Sequence, residues 1–378
     1  MARPTALPKS LRQLLTLPTA PFAEGAVLDY LQRACERLPG VRVTAHRHGN
    51  LVVRYQRRVK RTAPLVFTAH TDHPGFVAQR MIDGRTLLAA FRGWVEPEYF
   101  RRERVRFWSS GAWTLGRVSN ITKTAPVYGM IGRTGRPEEV EISVKRPIEA
   151  GAPGMWDLTD PLLRGGLLHA RGCDDIAGAA ALLAMLERLS KRDAAADVIV
   201  LFTRAEEVGF VGAIAAARDG TIPKRSPVIA IETSKALPNA RQGEGPILRV
   251  GDKSSVFTPT LTAFCDRVAK DLAARRKGFK YQRRLMDGGT CESTAYLAYG
   301  YAATGICVAL GNYHNMNVDR QRIAAETIDI DDWRWMVDWF EALALAKGDW
   351  REGDAGLRST MDARFETYRE LLGRGVSP

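Results

Sequence analysis

Much of what would assign this chain to a familiar class is missing from it. No stretch approaches the roughly 18 uninterrupted apolar residues of a membrane-spanning helix. The opening segment, MARPTALPKSLRQLLTLPTAPF, has proline and charge where a secretory signal needs an apolar centre. A cytoplasmic protein with no membrane partner is therefore expected. The five cysteines, Cys35, Cys173, Cys265, Cys291 and Cys307, are odd in number, scattered and without a CxxC pair. That argues against a disulfide framework and against a thiolate zinc site. GxSxG and GxxxxGK[ST] are absent, which removes the serine-hydrolase and phosphate-loop readings. So is any zinc-finger, RNP or helix-turn-helix pattern.

What is present is an ordinary globular composition: 378 residues, 45% hydrophobic, enough to bury a large core and a smaller second one. The net charge of +13, from 55 Lys and Arg against 42 Asp and Glu, favours acidic partners without naming one. The basic cluster Arg101, Arg102, Arg104 and Arg106 lies among Trp94, Tyr99, Phe100, Phe107 and Trp108, a mixture found in nucleic-acid binders. The simpler reading is charges on the solvent side of alternating strands with aromatics inside, and no nucleic-acid partner is expected.

Apolar periodicity predicts a helix over 24–38, a hairpin around His48-Gly49-Asn50 and a buried strand in PLVFTAH. From about 80 to 165 the pattern changes to short alternating strands with turns such as Asp83-Gly84 and Ser110-Gly111, as in an inserted β domain. Beyond it, helical and strand-like segments alternate (DDIAGAAALLAMLERLS, DVIVLFT, PVIAIET, TPTLTAFCDRVAKDLAARR, TGICVAL), ending in a helix over 331–347. The fold class expected is α/β, a mostly parallel mixed sheet covered by helices on both faces. The domains are 1–79 with 166–347, the insert 80–165, and a charged tail 348–378, helical over 361–372.

Five apolar segments end in metal-binding side chains: His70, Asp174, Glu206 with Glu207, Glu232, and His314. Strand ends of an open α/β sheet converge on one crevice, so these remote residues are expected to meet there. Asp72, two residues after His70, shares its face and is placed to accept its second N–H. Helix capping alone would explain Asp174 and Asp175. The adjacent acids Glu206 and Glu207 behind a buried strand demand a counter-charge, which a metal supplies. We assign Glu207 as ligand and Glu206 as the base that takes a proton from water and returns it to the leaving amine. Two imidazoles and three carboxylates suit two divalent ions, zinc first, with cobalt or manganese as alternatives.

His70-x-Asp72, Asp174-Asp175-x-x-Gly178, Glu206-Glu207-Val208-Gly209, Glu232, Tyr281-Gln282, Gly288-Gly289-Thr290 and Tyr313-His314 resemble, in order and spacing, the glutamyl aminopeptidase family of dinuclear metallopeptidases, which includes the tetrahedral aminopeptidases. The resemblance runs from about Leu14 to Leu345. It implies a zinc-exopeptidase-like fold with a small β-barrel-like insert serving as lid and dimerisation module. It also implies that Asp174 bridges the ions, that His70 and Glu232 complete one, and that Glu207 and His314 complete the other. Glu206 matches the base, Asp72 the supporting acid, and Gly289 with Thr290 the substrate-binding segment. The implied activity is release of N-terminal residues from peptides by water activated between two metals. The implied partners are a peptide or small amide substrate and further copies of the chain, from a dimer up to a dodecamer.

Four positions depart from that pattern. Glu232 stands where such aminopeptidases have Asp, and a Glu there is usual in related carboxypeptidases and aminoacylases. His73 replaces Glu, Ile176 replaces Arg, and Cys291-Glu292-Ser293 replaces Asp-Ala. The alternatives are an N-acyl amino acid deacylase or carboxypeptidase with the same site, a binding protein without turnover, and thiol catalysis by Cys291 with His314.

Overall fold

A computed structural model of the chain describes residues 6–125, 135–353 and 355–373. After α1 (Lys9–Leu14) and α2 (Gly25–Glu36), β1 (Val41–Ala45) and β2 (Leu51–Arg57) form an antiparallel hairpin. Its turn needs the φ of 83° at Gly49, which costs least without a Cβ. β3 (Leu65–His70) is buried at every residue. The chain then leaves the sheet, and β4 (Gly75–Met81), β5 (Thr86–Arg92), β6 (Arg104–Ser109), β7 (Ala112–Ala125), β8 (Arg136–Val144) and β9 (Pro153–Trp156) close into an antiparallel barrel ordered β4-β5-β8-β7-β6-β9. Alternation explains it: Val105 and Phe107 of β6 point inward, while Arg104 and Arg106 face out onto Asp157 and Asp160. Phe76, Phe91, Phe100 and Trp156 fill the centre edge to face. The arginine-aromatic cluster is thus barrel wall, with two of its cations already paired.

β10 (Leu162–Arg164) and β11 (Leu167–Ala170) return the chain to α3 (Ile176–Lys191). Then follow β12 (Ala196–Thr203), α4 (Val211–Arg218), β13 (Val228–Lys235), β14 (Ile247–Asp252), α5 (Pro259–Arg275), β15 (Gln282–Met286), α6 (Glu292–Ala298), β16 (Ala303–Leu310), the short β17 (Met316–Asn317), β18 (Arg322–Ile323) and β19 (Glu326–Asp329), α7 (Ile330–Leu345) and α8 (Ala355–Gly373). The main sheet runs β1-β2-β12-β3-β13-β16-β14-β15. Its centre, β12-β3-β13-β16, is parallel, but β1-β2, β2-β12 and β16-β14 are antiparallel. With β14-β15 also parallel, four of the seven ladders are parallel and the sheet is mixed, because a hairpin feeds one flank and β14 reverses on the other.

Leu182, Leu183 and Leu186 of α3 pack with Phe67, Val200 and Phe340 on one face, beneath α1, α2, α5 and α7. The other face is covered by α4 and α6 through Ala213, Ala216, Ala217 and Tyr296. Truncating one such leucine to alanine costs about 2–5 kcal/mol. Four parallel central strands aim their carboxyl ends at one edge, which places the loops after β3, β12, β13 and β16 side by side.

A candidate two-metal centre

His70 is the last residue of β3, level with Thr203 of β12. The β3–β13 ladder stops at Thr68 and Ala230, so two residues further on His70 and Glu232 stand opposite each other where pairing has ended. That opening is the crevice. Glu232 lies inside β13, which continues to Lys235, rather than at its end.

Asp174 sits at the entry to α3 between the two histidines. Its Oδ1 lies 3.4 Å from His70 Nε2 and its Oδ2 3.9 Å from His314 Nε2. Thr233 donates to the same Oδ1 at 3.0 Å. Glu232 Oε2 is 3.9 Å from His70 Nε2, and Glu207 Oε2 is 3.2 Å from His314 Nε2. Two compact trios follow, His70-Asp174-Glu232 and Asp174-Glu207-His314, each with donor atoms within 4.8 Å of one another and sharing Asp174. A third, His70-Glu206-Glu207, places Glu206 across the gap between them.

Each imidazole is held in the tautomer that leaves Nε2 facing the carboxylates. His314 Nδ1 donates to the Trp94 carbonyl at 2.6 Å, so the barrel insert orients this residue. His70 Nδ1 donates to the backbone carbonyl of Asp72 at 3.1 Å, with the Asp72 carboxylate farther away at 3.6 Å. That carboxylate instead accepts the amides of Glu206 and Glu207 at 3.0 and 3.1 Å. Asp72 therefore supports His70 through its main chain and clamps the Glu206-Glu207 turn through its side chain. The turn needs clamping: Ala205 and Phe210 have φ of 54° and 60°, as do Asn312 and His314 at 54° and 52° in the opposite loop. Such backbone persists only where its surroundings enforce it.

The donors fit divalent cations. Glu207 Oε1 and Glu232 Oε1 are buried without a hydrogen-bond partner, as expected of oxygens reserved for a metal. Burial pushes Glu206 well above the usual carboxylate range and Glu232 up to about 8. Burial would lower His314, but Glu207 and Asp174 carry it up to about 9, and Glu206, Asp174 and Asp72 likewise hold His70 well above its ordinary value. Burial opposes ionisation of Asp174, yet His70 and His314 keep it below the usual range. Protons thus fill in where cations would sit. Because His314 and Glu232 carry protons below about 9 and 8, ions must displace them. Affinity should rise with pH up to that window, and binding at pH 7 should release protons. Titration calorimetry in buffers of different ionisation heat measures this; no proton release would contradict it.

Further groups surround the centre, and two of them, Glu326 and Glu24, left no mark in the sequence. Glu326 of β19 accepts the amides of Cys173 and Asp174 at 2.7 and 3.1 Å. Glu24 accepts the Ala205 amide at 3.0 Å, steadying the glutamate turn from α2's start. His73, a departure from the family pattern, bonds the Asp174 carbonyl at 2.8 Å and Asn315 Oδ1 at 3.0 Å, so it braces the centre from behind. Asp175 is buried beside Gly178, where a Cβ would come within 2.3 Å of its carboxylate. Cys291 is buried and its thiol is pushed up by burial, the opposite of an activated nucleophile.

A cleft of about 730 Å³ opens over Glu206, Glu207 and His314, walled by Trp94 and Tyr99 from the insert and by Gly288, Gly289 and Thr290. A side chain at Gly289 would stand 4.0 Å from the Tyr313 hydroxyl, and Thr290 is tied to Ser254 at 2.6 Å. Lys235, Arg249 and Met286 line a smaller adjoining pocket beside Glu232.

The sequence model of M42 glutamyl aminopeptidases matches residues 135–330. Among solved structures, an aminopeptidase from Desulfurococcus kamchatkensis superposes with a TM-score of 0.74 at 22% identity, covering 91% of this chain and 96% of that one. The TET1 peptidase of Pyrococcus horikoshii, described as assembling into a tetrahedron or a large octahedral shell, gives 0.72 at 20% identity, covering 90% and 99%. An M18-family aminopeptidase from Thermotoga maritima gives 0.60 at 14%, covering 89% and 95%. At these identities the superpositions speak to the fold alone.

Proposed function

Given that this chain belongs to the M42 glutamyl aminopeptidase family, we propose that it releases N-terminal residues from peptides using two divalent ions held by His70, Asp174, Glu207, Glu232 and His314. One observation carries this reading: the Asp174 carboxylate turns one oxygen to each imidazole, His70 and His314, each with its own further carboxylate. Zinc suits the mixed imidazole and carboxylate donors, as do cobalt and manganese. When bound, such ions would supply Lewis-acid polarisation of the scissile carbonyl and would acidify the attacking water.

The chain's own groups do the rest. Glu206, on a turn clamped by Asp72, takes the proton from that water and passes it to the departing amine. Gly289 and Thr290 form the wall along which the substrate backbone lies. A free amine keeps a nitrogen lone pair that the ion-holding centre could accept, which an acylated nitrogen does not, and this favours the amino end of a peptide. Lys235 and Arg249 beside the centre favour an acidic first side chain. The catalytic unit comprises 1–79 and 166–347, with 80–165 as lid, and copies assemble, as those of the Pyrococcus horikoshii peptidase do.

The test compares one peptide with a free and with an acetylated N-terminus. The free form should turn over at least about 100-fold faster, the scale of losing one well-placed polar contact in a buried site. Hydrolysis of the acetylated form alone would overturn the aminopeptidase reading in favour of the deacylase that Glu232 leaves open. Chelation should abolish either activity.

A further inference from the structure

The hydroxyl of Tyr313 stands at the centre yet neither holds an ion nor moves a proton. Tyr313 lines a pocket of about 50 Å³ together with Asp174, Glu206, Glu207, Glu232 and His314. Its ring lies against the His314 imidazole, with centroids 3.7 Å apart and planes 26° from parallel, and packs on the main core. The residues on either side, Asn312 and His314, hold left-handed φ of 54° and 52°. Strained backbone of this kind collects at functional sites, and here it fixes the direction in which the ring leaves the chain. A side chain at Gly289 would stand 4.0 Å from the hydroxyl, so the hydroxyl faces the glycine wall across the pocket.

Other donors around this pocket are committed. Thr233 donates to Asp174, His314 Nδ1 to the Trp94 carbonyl, and Arg249 to Ser234 at 3.2 Å, while Thr290 is joined to Ser254. Lys235 is exposed, on a flexible four-carbon stem. Among the described residues the Tyr313 hydroxyl has no hydrogen-bond partner, and a phenol keeps its hydrogen through neutral pH. A rigid, unengaged donor beside a hydrolytic centre suits charge that develops only during the reaction. We propose that the Tyr313 hydroxyl donates to the scissile carbonyl oxygen as that oxygen takes on negative charge, a catalytic role that rests on the aminopeptidase reading above. The hydroxyl lends its hydrogen without releasing it, so the only proton transferred is the one that Glu206 carries from water to the leaving amine.

The experiment compares the full-length wild type with Tyr313→Phe, both loaded with zinc, on one free-amine peptide and on two inhibitors: the released amino acid, and its α-aminophosphonic acid, whose tetrahedral phosphorus carries charged oxygens as the reacting carbon does. Phenylalanine keeps the ring stacked on His314, so the thermal midpoint and metal content should match the wild type. In Tyr313→Phe, kcat should fall about 10²-fold with KM within about threefold, the signature of losing one donor used only in the transition state. The phosphonate should bind about 10²-fold more weakly, and the planar amino acid within about threefold of its wild-type affinity. Unchanged kcat and phosphonate affinity would overturn the proposal. So would equal weakening of both inhibitors, or loss of an ion, since the hydroxyl would then serve ground-state binding or the ligands. A wild type inactive on free-amine peptides defeats the aminopeptidase reading itself, whereas a fully active Tyr313→Phe defeats only this role.

Discussion

Glu206→Gln is expected to keep two metal ions per chain and to lose about 10²- to 10⁴-fold in kcat, the range a positioned general base supplies. The amide has nearly the same shape, and the contact that sets the turn, the Glu206 N–H donating to Asp72 at 3.0 Å, involves only the main chain. Nothing structural should therefore change. Glu206 also belongs to a compact trio with His70 and Glu207, so metal content is the discriminating readout. Loss of an ion along with activity would make Glu206 a ligand, and full activity would place the base elsewhere. Elemental analysis beside a rate assay separates these outcomes.

Asp174→Asn should be more severe, because its effect reaches both ions at once. An amide offers one good oxygen where the centre uses two, so the His70 and His314 sides can no longer be served together. The variant should bind one ion or none and show only background hydrolysis. The protein should still fold, since α3 is anchored by its buried leucines rather than by Asp174. Circular dichroism with metal analysis checks both halves; two tightly bound ions in Asp174→Asn would exclude a bridging role.

The centre was legible where chemistry coincides with a strand end. PLVFTAH and DVIVLFT read as buried strands, and His70 and Glu206-Glu207 follow directly from their placement in the sheet. The motif order brought in Asp174, Glu232 and His314, and all five come together in one crevice. What stayed hidden depends on long-range contacts with no local signature. Glu326 lies in an ordinary strand, yet its carboxylate caps Cys173 and Asp174 from about 150 residues away. The Trp94 carbonyl orients His314 from the loop after β5, and a main-chain carbonyl has no signature in a sequence. Asp72 sits as expected, but its carboxylate turns to the Glu206 and Glu207 amides because the left-handed turn at Ala205 presents them. Which strands of the mixed sheet run antiparallel was not legible for a related reason: strand direction is decided by which neighbour a strand finds, and β14 pairs antiparallel to β16.

The most direct measurement is anomalous diffraction at the zinc edge from crystals of the wild type grown with zinc. Two peaks about 3.5–4 Å apart, as in two-metal sites, should flank the Asp174 carboxylate, one beside His70 and Glu232 and the other beside Glu207 and His314. A single peak, or peaks away from these five side chains, would contradict the account.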